Sequence, residues 1–147
     1  MIQIDTFHPS QLPDPAQGAA IAAFLHTALE QYGDPLEQIE ACLAYALSDA
    51  PGRGGAVFTA KNEHGAIIGA VVVNHTNMQG YIPEHILVYI AVSSEARGQG
   101  IGKKLMQAAI DFLPGGIALH VEPDNPAYHL YKALGFTNKY LEMRLAR

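Results

Sequence analysis

One stretch restricts the folds open to this chain more than any other: Val92-Ser93-Ser94-Glu95-Ala96-Arg97-Gly98-Gln99-Gly100-Ile101-Gly102. Before it, Ile86 to Val92 reads Ile-Leu-Val-Tyr-Ile-Ala-Val. That run is too short for a typical helix, rich in β-branched residues and apolar at both parities, as in a strand buried on both faces. After it, Ile101, Leu105, Ala108, Ala109 and Phe112 recur at helical spacing, with Lys103, Lys104, Gln107 and Asp111 between them. The chain therefore passes from a buried strand to an amphipathic helix through a glycine turn. Glycine lets the backbone come close to a ligand, and the first N–H groups of a helix have no intrahelical acceptor. Such a turn is built to hold an anion, phosphate above all.

Spacing decides which kind of phosphate turn this is. A dinucleotide fingerprint needs a third glycine where Lys103 stands and belongs at the first strand of a βαβ unit, not two thirds of the way along. A nucleotide P-loop needs glycine in place of Arg97 and Ser or Thr in place of Lys104. What fits is Arg/Gln-x-x-Gly-x-Gly/Ala, as Arg97-Gly98-Gln99-Gly100-Ile101-Gly102. A second pattern follows in Asn125-Pro126-Ala127-Tyr128-His129-Leu130-Tyr131-Lys132-Ala133-Leu134-Gly135-Phe136, close to Asn-x-x-Ala-x-x-Leu-Tyr-x-x-x-Gly-Phe but with its alanine, Ala127, one place early. On these two motifs the chain resembles the GNAT superfamily of N-acetyltransferases over roughly residues 56 to 147, with weak support before that.

The chain in order agrees with that resemblance. Ile2 and Ile4 alternate with polar residues in a short strand. Asp14, Pro15 and Gln17 form a capping-box start to a helix with Ala20, Ile21, Phe24, Leu25, Ala28 and Leu29 on its buried side, and Gly33 is suited to end it left-handed. Asp34-Pro35-Leu36-Glu37 repeats the start signal for a second helix through Ile39, Leu43 and Leu47, closed by Pro51 and Gly52. A hairpin of Ala56–Ala60 and Ile67–Val73 turns through Asn62-Glu63-His64-Gly65. Thr76 to Pro83 is a polar connection of the sort that carries function. Ile117–Val121 makes a further strand, Asn125 caps a short helix from Pro126 to Gly135, and Tyr140 to Leu145 alternates as a last strand. The order β-α-α-β-β-β-α-β-α-β is not a clean βαβ alternation, so the sheet is mixed, within a single α/β domain spanning residues 1–147.

The resemblance implies a GNAT-like fold whose central strands splay apart to admit acetyl-coenzyme A as acyl donor. It implies that the donor is held by Ile90, Ala91, Val92, Arg97, Gly98, Gln99, Gly100, Ile101, Gly102, Asn125 and Tyr131. Acetyl transfer to a primary amine also needs the nitrogen deprotonated, since an ammonium ordinarily titrates at about 10.4. By resemblance Tyr131 is the acid that protonates the leaving thiolate, and a glutamate at the start of the central strand, Glu84, is the leading base. His85, His120 and Glu122 are its rivals; strict strand alternation puts Glu84 with Ile86, Val88 and Ile90, and His85 with Leu87 and Tyr89. The expected activity is N-acetylation by direct attack in a ternary complex. A non-catalytic sensor of acyl-coenzyme A is the alternative, separated from it by thiol release.

Composition limits the partners. Nine basic and fourteen acidic residues give a net charge of −5, which argues against nucleic acid and suits a cationic acceptor, a small-molecule or peptide amine. No apolar run reaches the roughly 20 residues of a membrane span, and the N-terminus lacks a signal-peptide pattern, so the expectation is a cytoplasmic protein. The seven histidines are scattered without ligand spacing and Cys42 has no partner, so no metal is expected; Cys42 reads as a small buried hydrophobe. Relatives that dimerise through sheet edges make a homodimer compatible with this reading.

Overall fold

The computed structural model describes residues 1–147. Five strands, β1 (Gln3–Phe7), β2 (Gly55–Lys61), β3 (Ile67–His75), β4 (His85–Val92) and β5 (Ile117–Leu119), form one sheet in that order. The first four are antiparallel neighbours and β5 runs parallel to β4, so the sheet is mixed as the element order required. Helices α1 (Pro15–Ala28) and α2 (Leu36–Ala46) cover one face. Helix α3 (Ile101–Phe112) and the short α4 (Ala127–Ala133) cover the other. Each face has its own apolar core: Ile21, Leu25, Ile39, Val57 and Val72 on the first, Phe58, Val71, Ile101, Leu105 and Met106 on the second.

Local chemistry explains where the elements start. At α1 the Asp14 carboxylate accepts the Gln17 N–H at 2.8 Å while the Gln17 amide oxygen accepts the Asp14 N–H at 3.0 Å. This reciprocal cap contributes about 1 kcal/mol. The end of α1 differs from expectation. Gly33 is extended, at φ −92°, and the left-handed residue is Glu30, at φ +54°. Gly33 is instead required by proximity, because a Cβ there would lie 2.9 Å from Leu29 Cβ. The second start signal also differs: Pro35 occupies the cap position of α2, no side chain caps it, and the Asp34 carboxylate is bonded elsewhere. On the sheet, a Cβ at Gly69 would lie 2.8 Å from Leu105 Cδ1, so the missing side chain is what lets α3 press onto β3.

One irregularity in β4 reorganises everything after it. Val72 pairs with Tyr89 but Val73 pairs with Leu87, leaving Val88 as an extra residue, a β-bulge. A bulge resets the alternation of faces, so Leu87 packs with α3 while Tyr89 packs with α1 and α2. The strict parity expected along this strand is thereby corrected: His85 and Leu87 do not share a face with Tyr89.

The last expected strand is absent. Beyond Phe136 no residue joins the sheet, and Tyr140, Leu141, Met143 and Leu145 are exposed. Alternation makes a segment suitable for a strand without supplying a neighbour, and β5 offers an edge of only three residues.

Candidate active site

The candidate site lies where β4 and β5 part. Their pairing runs from His85–Ile117 to Leu87–Leu119 and stops at the Val88 bulge. From Val88 to Val92, β4 therefore has β3 on one side and no strand on the other, and alternate backbone N–H and C=O groups face an open gap. One of them is used: the Val92 carbonyl accepts a hydrogen bond from Arg97 Nε at 3.3 Å.

Immediately above the gap lies the glycine turn. Gly98 and Gly100 sit at φ +80° and +76°, conformations that favour glycine. No acceptor within the protein takes the N–H groups from Gly98 through Lys103; the first to find one is Lys104, which donates to Gly100 O at 3.1 Å. Gly100 is the cap residue of α3 and no side chain caps it, so this row of donors and the positive end of the helix face outward. Gly102 serves a different purpose. A Cβ there would lie 3.2 Å from Leu130 Cδ2, so its bareness seats α4 against the turn.

Helix α4 brings Tyr131 into this region. The Tyr131 ring is buried beside Phe136, at 5.9 Å between centroids, in the cluster against which Ile90, Val92, Leu119 and Val121 from both walls of the gap pack. No hydrogen bond in the protein uses its hydroxyl, and burial pushes its pKa up to about 12. Asn125 precedes α4, its side-chain oxygen accepting the Ala127 N–H at 2.9 Å.

The opposite face of the gap is built by the α1–α2 connection. Glu30 pairs with Arg97 at 3.2 Å, Tyr32 donates to Asp124 O at 3.4 Å, and the Tyr89 hydroxyl donates to the Asp34 carboxylate at 2.5 Å. Burial first, and Asp34 second, hold the Tyr89 hydroxyl well above its usual range. His120 and Glu122 are exposed while Leu119 and Val121 pack toward α3 and α4. His120 and Glu122 lie just past the end of β5, on the side away from that cluster.

Glu84 and His85 are elsewhere. Glu84 Oε1 accepts the Gly116 N–H at 2.6 Å and Oε2 the Gly80 N–H at 3.2 Å, clamping two loops at the closed end of the sheet. Those hydrogen bonds hold its carboxyl below the usual range, which weakens it as a base. Val88–Val92 begins about 13 Å further along the strand at the ordinary rise per residue. The structure thus places Glu84, the expected base, at the closed end with both carboxylate oxygens engaged. His85 is buried, with Nε2 donating to Pro114 O at 2.9 Å and its ring against His75 at 4.9 Å, and burial lowers its pKa. Cys42 is no nucleophile either, since burial pushes its thiol up to about 11.

Two groups at this site carried no readable signal in the sequence: the Val88 bulge, hidden in a uniformly apolar run, and Tyr89 with Asp34, 55 residues apart. A cavity of about 780 Å³ lies between α1 and strands β1 to β3, away from the glycine turn, and no residue of the gap lines it. No cluster of three or more His, Cys, Asp or Glu side chains could hold a metal. No helix is long and apolar enough to cross a membrane.

Comparison with known proteins agrees with this geometry. Residues 17–136 match the acetyltransferase (GNAT) family. Among solved structures, an aminoglycoside N-acetyltransferase in complex with CoA superposes with a TM-score of 0.69 at 19% identity, covering 100% of this chain and 96% of the other. The ribosomal-protein-S18-alanine N-acetyltransferase of Escherichia coli gives 0.71 at 18% identity, covering 95% and 80%. A ribosomal-protein-alanine N-acetyltransferase of Brucella melitensis biovar Abortus 2308 gives 0.67 at 15% identity, with both chains covered in full, 100% and 100%. At these identities the likeness is one of fold. No curated protein matches the sequence.

Proposed function

The chain belongs to the GNAT family of acetyltransferases, with N-acetyl transfer as its activity and acetyl-coenzyme A as its donor, and from that premise we propose a direct transfer to a primary amine across the β4–β5 gap. The observation that carries this reading is the row of N–H groups from Gly98 to Lys103 without acceptors, opening onto a strand whose pairing is broken beside it. Those donors suit the diphosphate of coenzyme A, and Arg97 adds a guanidinium at the same turn. Ile90 and Val92 turn backbone groups toward the gap for the rest of the donor, with Ala91 between them in the β3–β4 ladder, and Asn125 borders it.

The two faces of the gap divide the chemistry. On the α3–α4 face, Tyr131 is the acid for the departing thiolate: its hydroxyl has no protein partner and stays protonated at neutral pH. Backbone N–H groups of Val88–Val92 stabilise the negative charge that develops on the carbonyl oxygen during attack. On the α1–α2 face the amine arrives, and it must first lose a proton. His120 is the base this geometry favours, because it lies exposed just past β5 beside the gap and carries an imidazole nitrogen able to accept a proton. Attack forms the C–N bond and breaks the C–S bond; the amine proton passes to His120, and the Tyr131 proton to sulfur. The acceptor is a small-molecule or peptide amine, as it is for the neighbours named after aminoglycosides and ribosomal-protein alanine.

Calorimetric titration with acetyl-coenzyme A, followed by free-thiol release against a panel of primary amines, tests this. Binding with acceptor-dependent thiol release is expected. Binding without release by any amine would overturn the catalytic reading, and absence of binding would overturn the assignment of the glycine turn.

A further inference from the structure

We propose that Asp34, held by the Tyr89 hydroxyl, binds a second positive charge on the acceptor, so that the preferred substrate is an amine carrying a further cationic group a few bonds from the nitrogen that reacts. The inference rests on the acetyl-transfer reading and names the substrate class for that site.

Asp34 stands where the sequence has a helix-start signal, yet it caps nothing: α2 begins behind Pro35 without a side-chain cap. Its carboxylate turns to the Tyr89 hydroxyl at 2.5 Å. The Val88 bulge makes this contact possible, since without it Tyr89 would face α3 with Leu87. One residue past the point where β4 and β5 part, the strand thus sends a rigid arm to the α1–α2 face and fixes a carboxylate at its tip. The carboxylate is oriented by that hydrogen bond and has no salt-bridge partner. The salt bridges of the chain use Asp5, Glu63, Glu30 and Glu142, and none uses Asp34.

Distance determines the role. A general base must lie within about 3 Å of the proton it removes. A nitrogen attacking a carbonyl held on the β4 backbone is a whole tyrosine side chain and a hydrogen bond away from Asp34. The carboxylate is too remote to deprotonate that nitrogen and correctly placed to pair with a second cation on the same molecule. Glu30, the other carboxylate of the α1–α2 connection, is engaged with Arg97.

Asp34→Asn separates this role from a purely structural one, because the amide oxygen still accepts from Tyr89 and only the charge is lost. The probes are a linear diamine and a monoamine of equal length ending in a hydroxyl. Wild-type protein is expected to favour the diamine, and Asp34→Asn to raise its KM about tenfold while leaving KM for the hydroxyl-ended amine within about twofold. Acetyl-coenzyme A affinity should not change. Tyr89→Phe, which frees the carboxylate to move, should raise the diamine KM by a smaller factor with the same selectivity. An equal effect of Asp34→Asn on both amines, or none on either, would overturn the proposal. If the wild type turns over no amine at all, acetyl transfer fails as a reading. Diamine binding in the presence of coenzyme A then decides Asp34 separately: weaker binding to Asp34→Asn supports it, and equal binding overturns it.

Discussion

Strand β4 has two ends with opposite ways of satisfying their polar groups. At the closed end, His85–Leu87 has strands on both sides. Several polar side chains there are turned to the main chain, Glu84 to Gly80 and Gly116, His85 Nε2 to Pro114, Thr76 to the carbonyls of Pro83 and Glu84, while buried His85 Nδ1 and Asn74 Oδ1 have no partner. At the open end, Val88–Val92 has lost one neighbour, its side chains are apolar except Tyr89, and the glycine turn beside it presents N–H groups with no acceptor. Titratable residues at the closed end maintain the fold, and unpartnered backbone at the open end is free to bind. The type of a residue is thus a weaker guide to function here than whether the groups around it are already satisfied.

The contrast breaks most decisively at Tyr131. Loss of a positioned acid typically lowers turnover about 10²- to 10⁴-fold, and Tyr131→Phe should reduce kcat within that range while the affinity for acetyl-coenzyme A, measured calorimetrically, stays within about twofold. The wild-type pH profile sharpens this. A hydroxyl raised to about 12 remains a proton donor past the ordinary tyrosine value of 10, so kcat should show no falling alkaline limb from this group below pH 10. Unchanged turnover in Tyr131→Phe would remove the hydroxyl from the chemistry and leave it as packing for Phe136.

Next in size is Gly100→Ala. The residue sits at φ +76°, where a Cβ meets open space but the backbone is strained by about 1–2 kcal/mol. If the turn relaxes to relieve that strain, the row of donors moves, and acetyl-coenzyme A should bind roughly 5- to 30-fold more weakly. Kd is the quantity to measure, with the thermal midpoint recorded beside it. An unaltered Kd would mean that the backbone of this turn does not hold the donor. Gly102→Ala is the milder companion. Its Cβ would lie 3.2 Å from Leu130 Cδ2, so the Leu130 side chain must give by a few tenths of an ångström, and Tyr131 moves only where α4 follows it. A change of a few fold in kcat with little change in Kd is expected, since misplacement of a catalytic group by small distances is felt in turnover.

These residues also show what could be read in advance. The glycine turn was legible because its spacing is itself the chemistry, and the capping box at Asp14 and Gln17 because it is local in the chain. The Val88 bulge was not legible. Every residue from Ile86 to Val92 is compatible with either face, so nothing in Ile-Leu-Val-Tyr-Ile-Ala-Val marks where the alternation resets. That one missed residue displaced the reading of Tyr89. Asp34 was misread for a different reason: a capping residue and a side-chain acceptor for a distant tyrosine have the same identity, and only tertiary proximity separates them. Gly33 likewise carries the right residue for the wrong cause, serving close approach to Leu29 instead of a left-handed turn. The segment Tyr140–Leu145 has the alternation of a strand, but pairing depends on an available edge, which lies outside the segment itself.

The smallest effect on activity tests the closed end. Glu84→Gln should leave kcat and KM within about twofold of wild type, because the carboxylate is engaged with Gly116 and Gly80 and lies at the far end of β4 from the gap. Its consequence should appear in stability. The folded-state pKa lies below the ordinary 4.5, so the carboxylate contributes stability that is fully present above that value and is lost as pH falls through the lower folded value. Replacing it with glutamine, which cannot titrate, should lower the thermal midpoint at neutral pH and flatten its fall below pH 4.5. Midpoints recorded for both proteins from neutral to acid pH decide the point. If Glu84→Gln were to depress kcat with its stability intact, the carboxylate would be acting on the reaction from the closed end. The division of β4 into a structural and a functional end would then fail.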